Sequence, residues 1–204
     1  PGVFTSPTLP GMKKLPEKLV IIGGSIVASE FAYIFRSFGC DVTILSRSMF
    51  LKESDKHLRA LAIKELAGVT IRENTSVTSI RGKNRVSSVL TPAGELEADA
   101  VFIAAGLVPN SGVLEGLKKG PGGEVVVDNR MRTSVADVYA CGDVVGPPLL
   151  AHKASHQAMA IVDFIAGNKP VAHHPLPAAI FTFPELATVG LSEDQALAEN
   201  RKVK

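Results

Sequence analysis

The run KLVIIGGSIVASEFAYIFRSFG, residues 18–39, constrains the fold more than any other stretch of this sequence. Its first five residues are apolar apart from the leading lysine, which predicts a central parallel strand buried on both faces. Two glycines follow, and apolar residues then recur mostly at helical spacing as far as Gly39, a common residue at helix ends. A strand, a tight turn and a helix predict the first half of a βαβ unit, and therefore a parallel sheet.

The segments that follow extend this prediction. DVTILS predicts the second strand, and a second helix is expected to begin with Ser54 as its N-cap and Asp55 in its first turn, and to end at Gly68. From residues 69–98, VTIRE, SVTSIRG, RVSSVLT and GELEAD alternate polar and apolar residues between turns, which predicts an antiparallel meander. AVFIAAG then returns as a buried strand. The predicted fold class is α/β, a Rossmann-like parallel sheet with an antiparallel β-meander excursion.

The second half of the chain is less regular. After Pro109 it becomes a glycine-rich loop, followed by a predicted strand GEVVVD. A helix is predicted from about Lys153 to Ala166, and a further strand and helix precede Lys204.

Composition excludes several classes of function. The 204 residues are 46% hydrophobic with a net charge of +2, and the basic residues are scattered among acids, so neither nucleic acid nor an anionic membrane is an expected partner. Apolar runs fall short of the roughly 18 residues that a membrane span needs, and no signal-peptide pattern is present, so we expect a cytoplasmic protein. Cys40 and Cys141 lie far apart, as expected for two reduced thiols rather than a metal site, although a distant redox pair stays open.

The glycine turn is a candidate nucleotide site. Aligned on the dinucleotide fingerprint G-x-G-x-x-G, it supplies Gly23 for the turn, with Gly24 giving extra room. Ser25 and Ala28 replace the later glycines; Ser25 adds a hydroxyl donor, and Ala28 still permits close packing of helix on strand. Free N–H groups and the helix dipole would then face a pyrophosphate. The same residues also suit a plain strand-turn-helix, so the loop alone leaves both interpretations open.

The end of the second strand bears on the choice of coenzyme. In dinucleotide folds, the residue that contacts the ribose lies about 20 positions beyond the loop, and an acid there binds the 2′-hydroxyl of NAD. This chain has Ser46, Arg47 and Ser48 in that region. A guanidinium can bind a 2′-phosphate with paired hydrogen bonds, which predicts NADP rather than NAD. A solvated surface arginine is the alternative.

Four segments, LPEKLVIIGGSIVASEFA, AAGLVPN, RTSVADVYACGDVVGPPLLAHKASHQAMA and AAIFTFPELATVGLSE, resemble the FAD-dependent pyridine nucleotide-disulfide oxidoreductases (class I) in the family's order. They cover nearly the whole chain. GDVVGPPLLAHKA is most similar to the dihydrolipoamide dehydrogenase branch, whereas GGSIVASE and ILSRS are more similar to mercuric reductases. The resemblance implies a homodimeric enzyme that moves electrons between NAD(P)(H), FAD and a dithiol or disulfide such as dihydrolipoamide.

The resemblance also assigns residues to FAD. Asp143, in the segment ACGD, would accept hydrogen bonds from the ribityl chain. The backbone of Leu150, Ala151 and His152 would lie at the pyrimidine edge of the flavin, where the positive end of the next helix can stabilise charge on the reduced ring.

Two further residues are assigned to the nucleotide by resemblance. Glu30 matches the acid that lies near the nicotinamide, and Gly106 belongs to the segment that closes the nucleotide domain. Leu107 departs from the family, which usually has an arginine there, so a charge contact at that position is not expected.

By resemblance, the chain is the middle of a longer enzyme. Residues 1–15 would be a linker from a missing half of the FAD domain, 16–111 the NAD(P)-binding domain, 112–170 the returning part of the FAD domain, and 171–204 the start of the dimerisation domain. The family's C-x-x-x-x-C pair and acid-base histidine are not in this sequence, so no catalytic residue is assigned beside Glu30 and the chain alone is expected to lack turnover. The alternatives are a mercuric reductase-like or other NAD(P)H-dependent reductase on the same scaffold, and a non-catalytic nucleotide-binding module.

Overall fold

A computed structural model describes residues 1–168 and 175–203 and divides them into two compact units. Unit 1 is Pro1–Gly106 together with the segment from Ala179 onward, and unit 2 is Leu107–Ala178. The domain boundary that we predict between residues 170 and 171 lies outside the described residues.

Unit 1 contains a βαβ unit, as the sequence predicts. Apart from a 3-10 helix, Leu9–Gly11, its strands and α-helices as far as Gly106 number ten. They are β1 (Val3–Phe4), β2 (Lys18–Ile22), α1 (Ile26–Ser37), β3 (Asp41–Leu45), α2 (Lys56–Glu65), β4 (Thr70–Arg72), β5 (Ser79–Arg81), β6 (Ser88–Thr91), β7 (Gly94–Glu97) and β8 (Ala100–Ile103). A five-stranded parallel sheet has the order β1-β8-β2-β3-β4, and β5-β6-β7 form a separate antiparallel sheet. The predicted α/β fold class, a Rossmann-like sheet with an antiparallel meander, is confirmed.

The parallel sheet is covered on both faces, and its central strand β2 is apolar after Lys18. Leu19 and Ile21 of β2 belong to the same buried cluster as the apolar residues of α1 and α2. Val20, between them in sequence, packs instead with Val89 of the meander. Since successive side chains of a strand point to opposite faces, helices cover one face of the sheet and the meander covers the other.

Three details of unit 1 differ from the sequence prediction. The N-cap of α2 is Asp55 rather than Ser54, because the Asp55 carboxylate accepts hydrogen bonds from the N–H groups of His57 and Leu58. The segment VTIRE forms β4, which pairs in parallel with β3 instead of joining the meander. Val3–Phe4, which the proline spacing does not predict as a strand, pairs with β8 at the edge of the sheet.

The last described segment of the chain completes unit 1. It contains β9 (Ala178–Ile180), β10 (Leu186–Thr188) and α4 (Glu193–Ala198), and β9 pairs with β10. Ile180 and Leu186 are buried in the main core with residues of α1 and α2. At the surface, acids at the start of α4 form ion pairs with the first two residues of α2: Lys56 contacts Glu193 and Asp194, and His57 contacts Glu193.

The described part of unit 2 has one long helix, α3 (Ala151–Ile165), which begins two residues before the predicted Lys153. A short 3-10 helix, Gly142–Val145, precedes it. The predicted strand GEVVVD is wrong: in the described part of unit 2 this segment makes one isolated bridge, Lys119 to Val125, and no continuous ladder. In neither described range is any helix both long enough and apolar enough to span a membrane.

Candidate functional site

The two glycines after β2 pack directly against the ends of neighbouring strands. Gly23 has a φ of +134°, and a Cβ atom there would lie 2.2 Å from the carbonyl oxygen of Ala104, just after β8. A Cβ atom at Gly24 would lie 2.2 Å from the Oγ of Ser46, just after β3. The position of Gly23 therefore requires glycine, because its clash is with backbone and its φ is positive, whereas a side chain at Gly24 would displace the Ser46 hydroxyl.

Ser25 caps α1, and its hydroxyl is engaged within the protein. The Oγ atom accepts from the Ala28 N–H at 3.3 Å and donates to the Ala104 carbonyl at 3.2 Å. In this conformation the hydroxyl proton is not available to a phosphate, which is the role that the sequence suggests for Ser25. Ala28 is fully buried, in keeping with close packing of α1 on the sheet.

The first turn of α1 retains free donors. Within residues 1–168 and 175–203, the N–H groups of Ile26 and Val27 have no protein acceptor. Both residues are only half-buried. Unpaired N–H groups and the positive end of the helix dipole form an environment that suits an anion, so the pyrophosphate of a dinucleotide fits the donors present here.

The residues after β3 differ sharply in exposure. Ser46 is 2% exposed, and its side chain lies against Gly24. Arg47 is exposed, and no ion pair joins it to any acid in the described ranges. The structure thus brings Ser46 next to the glycine turn as a packing residue, while the adjacent Arg47 carries the charge that a ligand could reach.

Glu30 lies on α1, more than one turn beyond the capping Ser25. It is half-buried, and its Oε1 accepts a hydrogen bond from the N–H of Phe181, the residue after β9. The sequence offers no signal for this long-range contact. Gly106, at the end of the first part of unit 1, has a φ of +114° and open space around its Cα, so only its backbone conformation favours glycine.

The predicted FAD residues lie close together in unit 2. Asp143 belongs to the 3-10 helix and its side chain is exposed, so the carboxylate is free to accept from hydroxyl groups. Leu150 is the N-cap of α3, and Ala151 and His152 are its first two residues. The Nε2 atom of His152 lies 2.9 Å from the carbonyl oxygen of Pro177.

Sequence reasoning missed Lys153, the one charged side chain that is buried in the described chain. Its Nζ donates to the carbonyl oxygen of Gly146, immediately after the 3-10 helix. Burial lowers the pKa of Lys153, and the negative charge of Asp143 partly opposes that shift. The N–H of Gly142 also donates to Gln157 of α3, so two side chains of α3 hold the turn that carries Asp143. A lysine in the first turn of an amphipathic helix ordinarily indicates a solvated residue, so no pattern could have revealed its burial.

Cys40 and Cys141 are both free thiols and belong to different units. Cys40 is buried in unit 1, where burial raises the pKa of its thiol, and Cys141 is half-buried in unit 2. The described residues contain no cluster of three or more histidine, cysteine or acidic side chains that could hold a metal ion.

Comparisons with known proteins agree on one family. The family model for pyridine nucleotide-disulphide oxidoreductases matches residues 4–158. A dihydrolipoyl dehydrogenase from Cupriavidus necator is 36% identical over 208 residues, covering 93% of this chain and 43% of that protein. A mercuric reductase from Shigella flexneri is 37% identical over 193 residues, covering 89% of this chain and 34% of that protein.

The fold comparison gives the same result. The solved structure of the HOCl-induced flavoprotein disulfide reductase RclA from Escherichia coli superposes with a TM-score of 0.88 at 32% identity, covering 97% of this chain and 48% of that one. This chain therefore spans less than half the length of each of these three proteins.

Proposed function

This chain belongs to the pyridine nucleotide-disulphide oxidoreductase family, and on that premise we propose that it is the nucleotide-binding central part of a flavin-dependent oxidoreductase. The whole protein would move electrons between NAD(P)(H), FAD and a dithiol or disulfide such as dihydrolipoamide. Its relatives include dihydrolipoyl dehydrogenases and mercuric reductases, so reduction of mercuric ion on the same scaffold is the second candidate. A homodimer is part of the proposal.

We assign the domains within the proposal as the sequence suggests. Residues 16–111 would bind NAD(P), 112–170 would contribute to the FAD site, and 171–204 would begin the dimerisation domain. The compact units divide instead after Gly106 and before Ala179, within about ten residues of these two boundaries.

In unit 1, the pyrophosphate would lie over the glycine turn, where the N–H groups of Ile26 and Val27 have no acceptor among the described residues. Glu30 would lie near the nicotinamide. The single observation that carries the coenzyme choice is Arg47: it is exposed, has no acidic partner in the described ranges, and directly follows the Ser46 that contacts Gly24. We propose that it binds the 2′-phosphate of NADP.

In unit 2, the exposed Asp143 carboxylate would accept from the ribityl hydroxyls of FAD. Leu150, Ala151 and His152 would border the ring at the positive end of α3. When bound, the flavin would supply the chemistry that passes a hydride's two electrons on to a disulfide. Since the two cysteines of this chain lie in different units, we propose that the redox pair belongs to other residues of the whole protein and that this chain alone does not turn over.

Calorimetric titration of the chain with NADPH and NADH, each in turn, tests the proposal. We expect NADPH to bind more tightly, and Arg47→Ala to weaken NADPH about tenfold to a hundredfold, because hydrogen bonds to charged groups contribute about 1.5–3 kcal/mol. NADH should be unaffected. Lys52→Ala, which removes a nearby exposed cation, is the matched control and should change neither affinity. Equal affinities for the two coenzymes, or tighter NADH, would refute the assignment of Arg47.

A further inference from the structure

The loop that carries Arg47 is held on both sides by backbone hydrogen bonds. This loop, residues 46–51, accepts from the segment after β4: Thr75 N–H donates to the Ser46 carbonyl at 2.8 Å, and Asn74 N–H to the Ser48 carbonyl at 3.3 Å. At its other end, Leu51 N–H donates to the carbonyl of Gly24 at 2.8 Å. The 46–51 loop is thus attached directly to the glycine turn.

Buried side chains fix the far end of the same loop. Phe50 is fully buried and Leu51 is 3% exposed, and both belong to the main core of unit 1. Leu51 has a φ of +51°, a conformation that is unfavourable for a residue other than glycine. Such a conformation persists only where the surroundings over-determine it, so the contacts around Phe50 and Leu51 must hold it in place.

An ion pair supplies the most specific of these contacts. Glu73 Oε1 accepts from the Phe50 N–H at 2.7 Å and from Nη2 of Arg59 on α2. The Nε of Arg59 donates to the Phe50 carbonyl, also at 2.7 Å. The backbone N–H and the carbonyl of Phe50 are therefore both bound by one ion pair, Arg59–Glu73, which we call the Phe50 clamp.

The two side chains of the Phe50 clamp are partly buried, and both are charged at neutral pH. The side chains of Arg59 and Glu73 are 24% and 31% exposed. Partial burial raises the pKa of Glu73, but hydrogen bonds from Phe50 N–H and Arg59 outweigh it, so its pKa lies below the ordinary value of 4.5 and the carboxylate is ionised at neutral pH. Charge-assisted hydrogen bonds of this kind hold their partners more firmly than neutral ones do.

A fixed conformation of the 46–51 loop should increase the affinity of Arg47 for a ligand. An arginine on a mobile loop must be ordered when it binds, and that entropy cost subtracts from affinity, whereas a preorganised one binds without it. Ser46 directly precedes Arg47, and Phe50 lies three residues after Arg47. Hydrogen bonds therefore fix the backbone on both sides of Arg47, while its guanidinium stays exposed.

We propose that Glu73 and Arg59 are positioning residues for Arg47: the Phe50 clamp holds the 46–51 loop in the conformation from which the guanidinium reaches a phosphate ester on a nucleotide at the glycine turn. This inference rests on the proposed function, since it takes the ligand of unit 1 to be a nucleotide.

The first test needs no ligand. Hydrogen–deuterium exchange is measured on the full chain for the wild type, Glu73→Ala and Glu73→Gln. Glu73→Ala should speed exchange at the Phe50 amide about tenfold or more, because the lost acceptor exposes that N–H to local opening, while the amides of Val20 and Ile21 in β2 keep their rates. Glu97→Gln, which removes an exposed ion pair with Lys18, is the control and should leave Phe50 unchanged. An unchanged Phe50 rate in Glu73→Ala would overturn the proposal.

The second test uses two probes that differ by one phosphate, adenosine 2′,5′-bisphosphate and 5′-AMP. Glu73→Ala should weaken the bisphosphate about tenfold, the low end of what the loss of a supporting residue costs, and change 5′-AMP less than twofold. On an Arg47→Ala background, Glu73→Ala should cause no further loss. A further loss on that background, or an equal loss for both probes, would show that Glu73 does not act through Arg47.

Conservative replacement guards against misfolding. Glu73→Gln keeps a carbonyl acceptor for Phe50 N–H, so it should recover at least half of the lost selectivity. If Glu73→Ala does not fold, Arg59→Met, which removes the hydrogen bonds of Arg59 to Glu73 and to the Phe50 carbonyl, replaces it in both tests. A wild type that does not distinguish the two probes refutes the NADP assignment. A wild type that distinguishes them while Glu73→Ala and Glu73→Gln behave as wild type refutes the clamp alone.

Discussion

The carboxylate of Glu30 accepts a hydrogen bond from the backbone N–H of Phe181, with 3.1 Å between Oε1 and N. Glu30 lies on α1, beyond the glycine turn, whereas Phe181 follows β9 in the last part of the chain. The acid that we assign to the nicotinamide is therefore oriented by a segment distant in sequence, and loss of that segment would affect the coenzyme site.

Replacing Glu30 should weaken this attachment. Glu30→Ala should lower the free energy of unfolding by about 1 kcal/mol, the net contribution of an ordinary intramolecular hydrogen bond. Glu30→Gln should lower it less, because the amide oxygen can still accept from Phe181. Urea denaturation followed by circular dichroism measures both. Equal stability of the two variants would show that the hydrogen bond contributes nothing.

Gly23→Ala should be among the most damaging single substitutions. Its Cβ would lie 2.2 Å from the Ala104 carbonyl oxygen at a φ of +134°, so clash and backbone strain add, and we expect a loss of about 3 kcal/mol in thermal or chemical denaturation. Gly106→Ala is the matched control, since its φ is also positive but its surroundings are open, and it should cost about 1 kcal/mol. Similar losses in the two variants would mean that the close approach at Gly23 is unimportant.

Ionic strength should act selectively on NADPH. Arg47 is exposed, and salt screens charges at the surface over a Debye length of about 10 Å at 0.1 M and 3 Å at 1 M. The preference for NADPH over NADH should therefore fall as salt rises from 0.05 to 0.5 M, and the Arg47→Ala variant should show a much flatter dependence. The two dissociation constants are measured by calorimetry at each salt concentration. A preference that does not change with salt would argue against an exposed ion contact.

Acid should loosen α4 from α2. Hydrogen bonds from His57 and Lys56, and the charge of Lys56, lower the pKa of Glu193 below its ordinary 4.5. The other acids beside Lys56 and His57 are Asp55 and Asp194. A lowered acid pKa means that this contribution to stability is complete above pH 4.5 and is lost as the pH falls through the folded-state value. Wild type and Glu193→Gln should therefore converge in stability on acidification, as measured by urea denaturation between pH 6 and 3. Parallel curves would contradict the prediction.

The buried Lys153 should make the stability of the protein rise with pH at alkaline pH. Burial lowers its pKa from the ordinary 10.5, so holding the ammonium inside the fold opposes folding at neutral pH, and this cost falls as the pH rises toward 10.5. Relative to Lys153→Met, the wild type should gain stability between pH 8 and 10. A constant difference would show that the lysine keeps its solution pKa in unit 2.

The sequence predicts some secondary-structure elements and their pairing better than others. The apolar run of β2 and the helical spacing of α1 establish the βαβ unit, because local pattern and burial agree there. The same reasoning assigns VTIRE to the meander, since alternation reveals a strand but not its partner, and only pairing with β3 makes β4 parallel. GEVVVD has the composition of a strand, but without a neighbour it forms only one bridge.

At the candidate site, the sequence locates residues but not what they contact. It predicts that Gly23, Ser25 and Arg47 belong to one nucleotide site, which stays a prediction; the structure of unit 1 joins the 46–51 loop to the glycine turn through the Leu51–Gly24 hydrogen bond. It does not predict that the Ser25 hydroxyl is committed to Ala104, nor that Lys153 is buried, because both depend on backbone carbonyls brought close by tertiary folding. Such acceptors are present at every residue and so leave no mark on the sequence.

Two residues of the core of unit 1 are translated only after the whole of unit 2. Ile180 and Leu186 are buried against α1 and α2, yet all of unit 2, about 70 residues, is translated between Gly106 and them. At about 5–20 residues per second, the first part of unit 1 is synthesised roughly 4–14 s before these two side chains exist. During that interval the apolar side chains of α1 and α2 lack the cover that Ile180 and Leu186 give them in the folded protein.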